Sequence, residues 1–157
     1  MPNGFTLLEL IVVMLLMGII LGIAAPDLRG TFRSRQGPDQ ATLLLGLTKY
    51  ARAQAVVEGR VYRLNLDPAA GGYWLSALDS GNFAELGRDL GRRRIPPEGI
   101  SVALKGPDGT PLSHVQFYPD GRTDPAVFEV TDRAGRTWQL ASDTAVDGFR
   151  IANHEKL

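Results

Sequence analysis

Glu9 is the side chain whose setting demands a chemical account. It lies in a stretch, residues 5–26, whose only polar interruptions are Thr6 and Glu9, and residues 10–25 carry no charged or hydrogen-bonding side chain. A carboxylate at mid-membrane costs about 2.5–3.5 kcal/mol on insertion scales, and less near the end of a helix. In a low-dielectric layer the same group is strongly attracted to any cation at close range. Two uses follow: an ion-pair partner inside an apolar layer, or a side chain that reaches back to the headgroup region. The other reactive residue types form no comparable pattern. His114 and His154 are far apart and lack metal-ligand spacing, which reads as surface or turn positions. Ser76, Ser80, Ser101, Ser113 and Ser142 sit in no nucleophile-elbow context, and Gly71-Gly72 reads as a turn rather than a phosphate loop. No active site, metal site or cofactor is expected.

The elements that must position Glu9 are set by an uneven distribution of apolar residues. The chain has 157 residues, 44% of them apolar, with 18 Gly and 10 Pro, enough for one modest globular domain rich in turns. Its 17 basic and 17 acidic residues balance, so bulk attraction to a nucleic acid is not expected. Cysteine is absent, which excludes disulfides, cysteine-ligated zinc and thiol catalysis. Residues 5–26 have the length of a membrane-spanning helix, since about 20 residues cross about 30 Å of hydrocarbon.

A secretory signal peptide fits this stretch poorly: residues 1–4 supply no Lys or Arg, Glu9 interrupts the apolar run, and Pro26 would follow a cut after Ile23-Ala24-Ala25. A plain single-span anchor leaves Glu9 without purpose. The string Gly4-Phe5-Thr6-Leu7-Leu8-Glu9, followed by the unbroken apolar run, resembles the N-terminus of type IV prepilins and type II secretion pseudopilins. The resemblance implies a prepilin peptidase that cuts between Gly4 and Phe5 and methylates the new amino terminus of Phe5. It also implies that Pro26 matches the family's helix-kinking proline. Glu9 of an incoming subunit would then pair with the Phe5 ammonium of its neighbour, setting registry while the apolar helices supply adhesion.

The positive-inside rule, applied to Arg29, Arg33 and Arg35, would place the C-terminal domain in the cytoplasm. The resemblance implies the opposite: an inner-membrane, single-pass chain with a periplasmic C-terminal domain. A leader of residues 1–4 without Lys or Arg then implies either a start further upstream or a leader that relies on the secretion machinery.

Beyond Pro26 a polar, glycine-containing stretch, residues 27–37, leads to Pro38-Asp39, where a helix start with Asp39 as N-cap is expected. Leu44, Leu47, Ala51 and Ala55 recur at helical spacing, and Gly59 ends the helix. The period then changes to two: Tyr62, Leu64 and Leu66, then Tyr73-Trp74-Leu75 after a turn at residues 67–72. Later strands are expected around Val102, Val115, Phe128 and Trp138, bounded by turns at Gly106-Pro107-Asp108-Gly109, Pro119-Asp120-Gly121 and Asp132-Arg133-Ala134-Gly135. Residues 81–99 read as a surface loop. The expected fold is α+β and pilin-like, a long N-terminal helix with a membrane-spanning first half, packed on a mainly antiparallel sheet. The expected divisions are a leader at 1–4, an assembly helix at 5–26, the rest of the helix at 27–59 and a β-rich domain at 60–157.

Tyr50-Ala51-Arg52-Ala53-Gln54-Ala55 and Val115-Gln116-Phe117-Tyr118-Pro119-Asp120-Gly121 are similar to the pattern of H-type pseudopilins of type II secretion (GspH) and the related FimT-type minor pilins. The resemblance implies a non-enzymatic subunit of a periplasmic pseudopilus that supports protein export, with prepilin peptidase, other pseudopilins and the inner membrane as partners. The alternative it implies is a FimT-like minor pilin of a type IV pilus involved in DNA uptake. Arg92-Arg93-Arg94 would then be the DNA contact, although a solvated loop explains the run without one. Some related pseudopilins bind calcium, but Asp120, Asp124, Asp132, Asp143 and Asp147 form no alternating acidic ladder and read as turn residues.

Overall fold

The computed structural model describes residues 6–87 and 90–152, except for the side chains at 23–34. Gly4, Phe5 and His154 lie outside the described residues, as does the side chain of Pro26, so the expected cleavage point, methylation site and kink fall there too. The chain divides into two compact units, residues 1–35 and 36–157.

The first element is α1, Leu7–Glu58. In its second half Gln40, Ala41, Leu44, Leu47, Thr48, Ala51 and Ala55 are buried, the stripe that a 3.6-residue period predicts. The fresh helix start expected at Pro38-Asp39 is not found: both residues lie within α1, and Thr42 Oγ1 donates to the Pro38 carbonyl at 2.9 Å. Tertiary packing overrides the local signal. Gly37 is buried in the helix because the Trp138 indole occupies its Cβ position, a Cβ there standing 2.1 Å from the ring. The helix stops where expected. Gly59 takes a φ of +65°, a left-handed conformation that favours glycine. Beside this end, Glu58 accepts hydrogen bonds at 2.6 Å from both Tyr62 Oη and Arg60 Nε, which hold its carboxyl below the ordinary range.

The strands that follow are β1 (Tyr62–Leu66), β2 (Tyr73–Asp79), β3 (Asn82–Glu85), β4 (Ser101–Lys105), β5 (His114–Phe117), β6 (Ala126–Thr131), β7 (Thr137–Ser142) and β8 (Arg150–Ala152). They form two four-stranded sheets rather than the single sheet expected, in the orders β3-β2-β1-β5 and β4-β6-β7-β8, and every named pair is antiparallel. The loop expected at 81–99 is only partly a loop: β3 pairs with β2, and Gly91 and Arg94 continue along the same β2 edge by backbone bonds to Leu75 and Tyr73. β2 turns into β3 through Ser80-Gly81, both with positive φ, as a tight two-residue hairpin requires.

Three later turns share one construction. At residues 106–110, 118–122 and 132–136 the first residue's N–H donates to the carbonyl of the last, and the fourth residue donates back to the first. That fourth residue is Gly109, Gly121 or Gly135, each with φ near +80°. These are the turns expected from the sequence.

Alternation decides the core. Tyr62, Leu64, Tyr73, Leu75, Val115 and Phe117 from the first sheet, and Val102, Leu104, Phe128, Val130 and Leu140 from the second, join the helix stripe in one buried cluster. Phe149 ties the sheets together, its ring centroid 6.3 Å from that of Phe117 and 5.5 Å from that of Phe128, both in tilted geometry.

Candidate functional site

The N-terminal half of α1 begins with a capping arrangement. Thr6 precedes the first helical residue, and the Glu9 N–H donates both to its carbonyl at 3.1 Å and to its Oγ1 at 3.3 Å, an N-cap contact in the first turn. Thr6-Leu7-Leu8-Glu9 has the spacing of a capping box, a local signal that the sequence reading absorbed only as a family likeness. Glu9 lies in the first turn, where a negative charge suits the helix dipole. Its side chain is exposed and pairs with no cation among the described residues.

Every described side chain from 6 to 22 is exposed, including Leu7 at 78%, Met14 at 69% and Leu21 at 68%. Residues 6–22 of the helix therefore present apolar surface on all sides, with nothing among the described residues of their unit to cover it. Among the described residues no helix is long and apolar enough to cross a membrane. The expected span, residues 5–26, extends beyond the described side chains at both ends.

In the β-rich unit the arginine run does not act as one group. Arg93 stacks on Trp74 with its guanidinium carbon 3.7 Å from the ring centroid, and it faces Asp67 at 3.5 Å and Glu85 at 3.8 Å. Arg94 is half-buried, and its backbone bridges to Tyr73. Arg92 is exposed and, among the described residues, has neither an ion pair nor an aromatic stack.

The late aspartates are engaged one by one in turn chemistry and ion pairs. Asp120 accepts from the Arg122 N–H at 3.0 Å and pairs with its side chain at 2.6 Å. Asp132 does the same with Arg136. Asp143 pairs with Arg150, Asp147 accepts from Thr144 Oγ1 at 2.7 Å, and Asp124 accepts from Tyr118 Oη at 3.0 Å. His114 Nδ1 meets Ser113 Oγ at 3.2 Å, a contact between chain neighbours. Burial, and then the positive charge of Arg63, push the imidazole below its ordinary value.

Arg52 is a residue the sequence reading quoted but gave no role. Its Nε donates to the Gly121 carbonyl and its Nη2 to the Val146 carbonyl, both at 2.7 Å, so the helix holds the turn before β6 and the loop before β8 through a single guanidinium.

The sequence family described as type II transport protein GspH matches residues 40–147, and the prokaryotic N-terminal methylation motif matches residues 2–25. The type II secretion system protein H of Pseudomonas aeruginosa is 29% identical over 168 residues, covering 98% of this chain and 95% of that protein. Among solved structures, the minor pseudopilin EpsH from the type 2 secretion system of Vibrio cholerae superposes with a TM-score of 0.65 at 11% identity, covering 74% of this chain and 96% of the other. The type IV minor pilin FimU of Pseudomonas aeruginosa gives a TM-score of 0.54 at 16% identity, covering 80% and 91%. At those identities the two likenesses establish the pilin-like fold. The GspH match takes in well over half of the chain and joins a methylation motif at the exposed apolar helix, so the chain belongs to the GspH family of type II transport proteins, as a minor pseudopilin of type II secretion.

Proposed function

We propose that this chain is cut between Gly4 and Phe5 by a prepilin peptidase and N-methylated at Phe5. The helix of residues 5–26 then holds it in the inner membrane, with the domain from residue 36 onward in the periplasm. From there it enters a periplasmic pseudopilus beside other pseudopilins, as membership of the family implies. Its work is structural: it is moved by being polymerised and carries no chemistry of its own. The observation that supports this reading is the apolar helix surface at residues 6–22, exposed on every side and interrupted only by Thr6 and Glu9. Apolar surface of that extent has to be covered by lipid before assembly and by neighbouring helices after it.

Glu9 supplies registry in this reading. The cap at Thr6 uses the Glu9 backbone N–H and leaves the carboxylate uncommitted. That carboxylate is free to meet the Phe5 ammonium of a neighbouring subunit, where the low-dielectric setting strengthens the attraction. Replacing Glu9 by Leu removes the charge and keeps the cap, so the helix survives and the variant is expected in the membrane but not in the filament. Recovery of Glu9→Leu in purified filaments at the wild-type level would remove this role. Mass spectrometry of the mature N-terminus tests the processing step, with methylated Phe5 as the expected first residue and a chain beginning at residue 26 as the refuting result.

A further inference from the structure

Among the described residues, five arginines stack on an aromatic ring, and four of them, Arg60, Arg93, Arg122 and Arg136, also have a carboxylate partner in this chain. Arg63 is the exception. Its guanidinium carbon lies 3.5 Å from the centroid of Phe83, no described carboxylate pairs with it, and its Nε is buried without an acceptor. The benzene ring returns part of the cost through its quadrupole but accepts no N–H bond. A half-buried guanidinium with an unbonded Nε and no carboxylate partner is costly in the isolated chain, and a carboxylate bonded to its remaining N–H groups would offset part of that cost.

The position of Arg63 tells what kind of partner would bring one. It sits on β1, an interior strand of the first sheet, with Ser76 and Gln116 as its Cα partners on either side. Tyr62 and Leu64 point to the core, so Arg63 lies near the middle of the outer face. Its neighbourhood on that face holds Trp74, Asn65, Gln116 and His114, half-buried side chains, with Arg93 stacked on Trp74, an aromatic- and arginine-containing surface without lysine of the kind found at interfaces. Nearby acids are already committed, Glu85 to Arg93 and Asp124 to Tyr118. Those acids would repel a polyanion, whereas one carboxylate fits one unpaired guanidinium.

We propose that the outer face of the β3-β2-β1-β5 sheet docks another pseudopilin subunit, which presents an Asp or Glu side chain to Arg63. The inference rests on the chain being a filament subunit and adds a surface and a counter-charge that the apolar helix does not provide.

The test places a photo-crosslinking residue at Gln116 of the full-length chain, in cells carrying the complete secretion apparatus, with filament incorporation measured in the same cells. The expected product joins this chain to a different pseudopilin through a peptide containing an acidic residue. Arg63→Glu should cut its yield by about thirtyfold or more, as the loss of a desolvated charge pair does, and a Lys in place of the partner's acid should restore it. Arg63→Met keeps the methylene packing over Phe83, and it should lose the product while holding the wild-type melting temperature or exceeding it. A product that survives both substitutions overturns the proposal, and so does one formed with a second copy, an exported protein or nucleic acid. Wild-type chain missing from filaments would refute the assembly reading itself. Incorporated chain whose crosslink ignores Arg63 refutes this inference alone.

Discussion

Gly37 and Gly46 both lie inside α1, and the structure assigns opposite signs to the same substitution at the two sites. A Cβ built on Gly37 stands 2.1, 2.4 and 2.7 Å from Cζ3, Cη2 and Cε3 of Trp138, whereas one built on Gly46 meets nothing within 4 Å. Ordinary contact begins at 3.4 Å, so the nearest ring atom would have to retreat by 3.4 − 2.1 = 1.3 Å. Trp138 is packed against the core cluster, and three atoms of one ring edge are struck together, so a rotation of the indole does not relieve the clash. Overpacking of this kind costs about 1–3 kcal/mol. Against it stands the helix-propensity gain of Ala over Gly, about 1 kcal/mol at either position. Gly46→Ala should therefore stabilise by roughly 0.5–1 kcal/mol, and Gly37→Ala should destabilise by up to about 2 kcal/mol. Urea unfolding of the full chain in detergent, followed by circular dichroism, reads both values. In a Trp138→Leu background the Gly37→Ala penalty should disappear, because the ring that causes it is gone. Equal shifts for the two glycines in the parent chain would refute the reasoning, and with it the account of why a glycine sits in the middle of a helix.

Three further outcomes follow from the β-rich unit. Arg52→Met should cost about 1.5–3 kcal/mol, the range for hydrogen bonds from a charged donor, and should speed hydrogen exchange at the Gly121 and Asp147 amides, whose turns it ties to the helix. Arg93→Ala should lower stability by about 0.5–1 kcal/mol through the lost Trp74 stack, its exposed ion pairs adding little, while Arg92→Ala should leave the unfolding midpoint unchanged. Salt-dependent DNA binding that falls on Arg92→Ala would favour the FimT-like use of this run, and affinity indifferent to it would count against that use. His114 has a folded value below its ordinary 6.5, so the unfolded chain takes up its proton first as the pH falls. Its contribution is whole above about pH 6.5 and declines from there as the pH falls toward the lower folded value, so His114→Gln should flatten the stability profile on the acid side of about pH 6.5. An unchanged slope in urea midpoints would show that carboxylates alone set it.

What the sequence made legible is what short-range physics determines. Leu44, Leu47, Ala51 and Ala55 had to share a helix face, and the Asp-Gly turns at 108–109 and 120–121 had to reverse the chain, because each signal is complete within a few residues. The strand Asn82–Glu85 lacked such a signal: its side chains are mostly exposed, and only pairing with β2 makes it a strand. Arg150–Ala152 is shorter still and depends on β7. Alternation states which residues of a strand point inward, but not which sheet the strand joins, so two sheets were read as one. Pro38-Asp39 misled for a related reason. The residues have the local form of a helix start, and the close approach of Trp138 to Gly37, a contact about a hundred residues apart in sequence, belongs to no local window.

Charge was the least legible property of the candidate surfaces, and the reason bears on how such surfaces are found. A sequence counts charges, and Arg92-Arg93-Arg94 stood out as a dense run. Function depends instead on which charges the fold leaves unneutralised, and Arg93 is neutralised twice, by Asp67 and Glu85. Arg63 is an isolated residue between a tyrosine and a leucine, with nothing in the sequence to mark it. It becomes conspicuous only beside four other stacked arginines that have found their carboxylates. Glu9 is its mirror image, an acid without a described cation on a helix with no apolar cover of its own. Each is a charge without an opposite partner among the described residues, and in the assembly proposed above an interaction left unsatisfied in the single chain would make association favourable and fix its register.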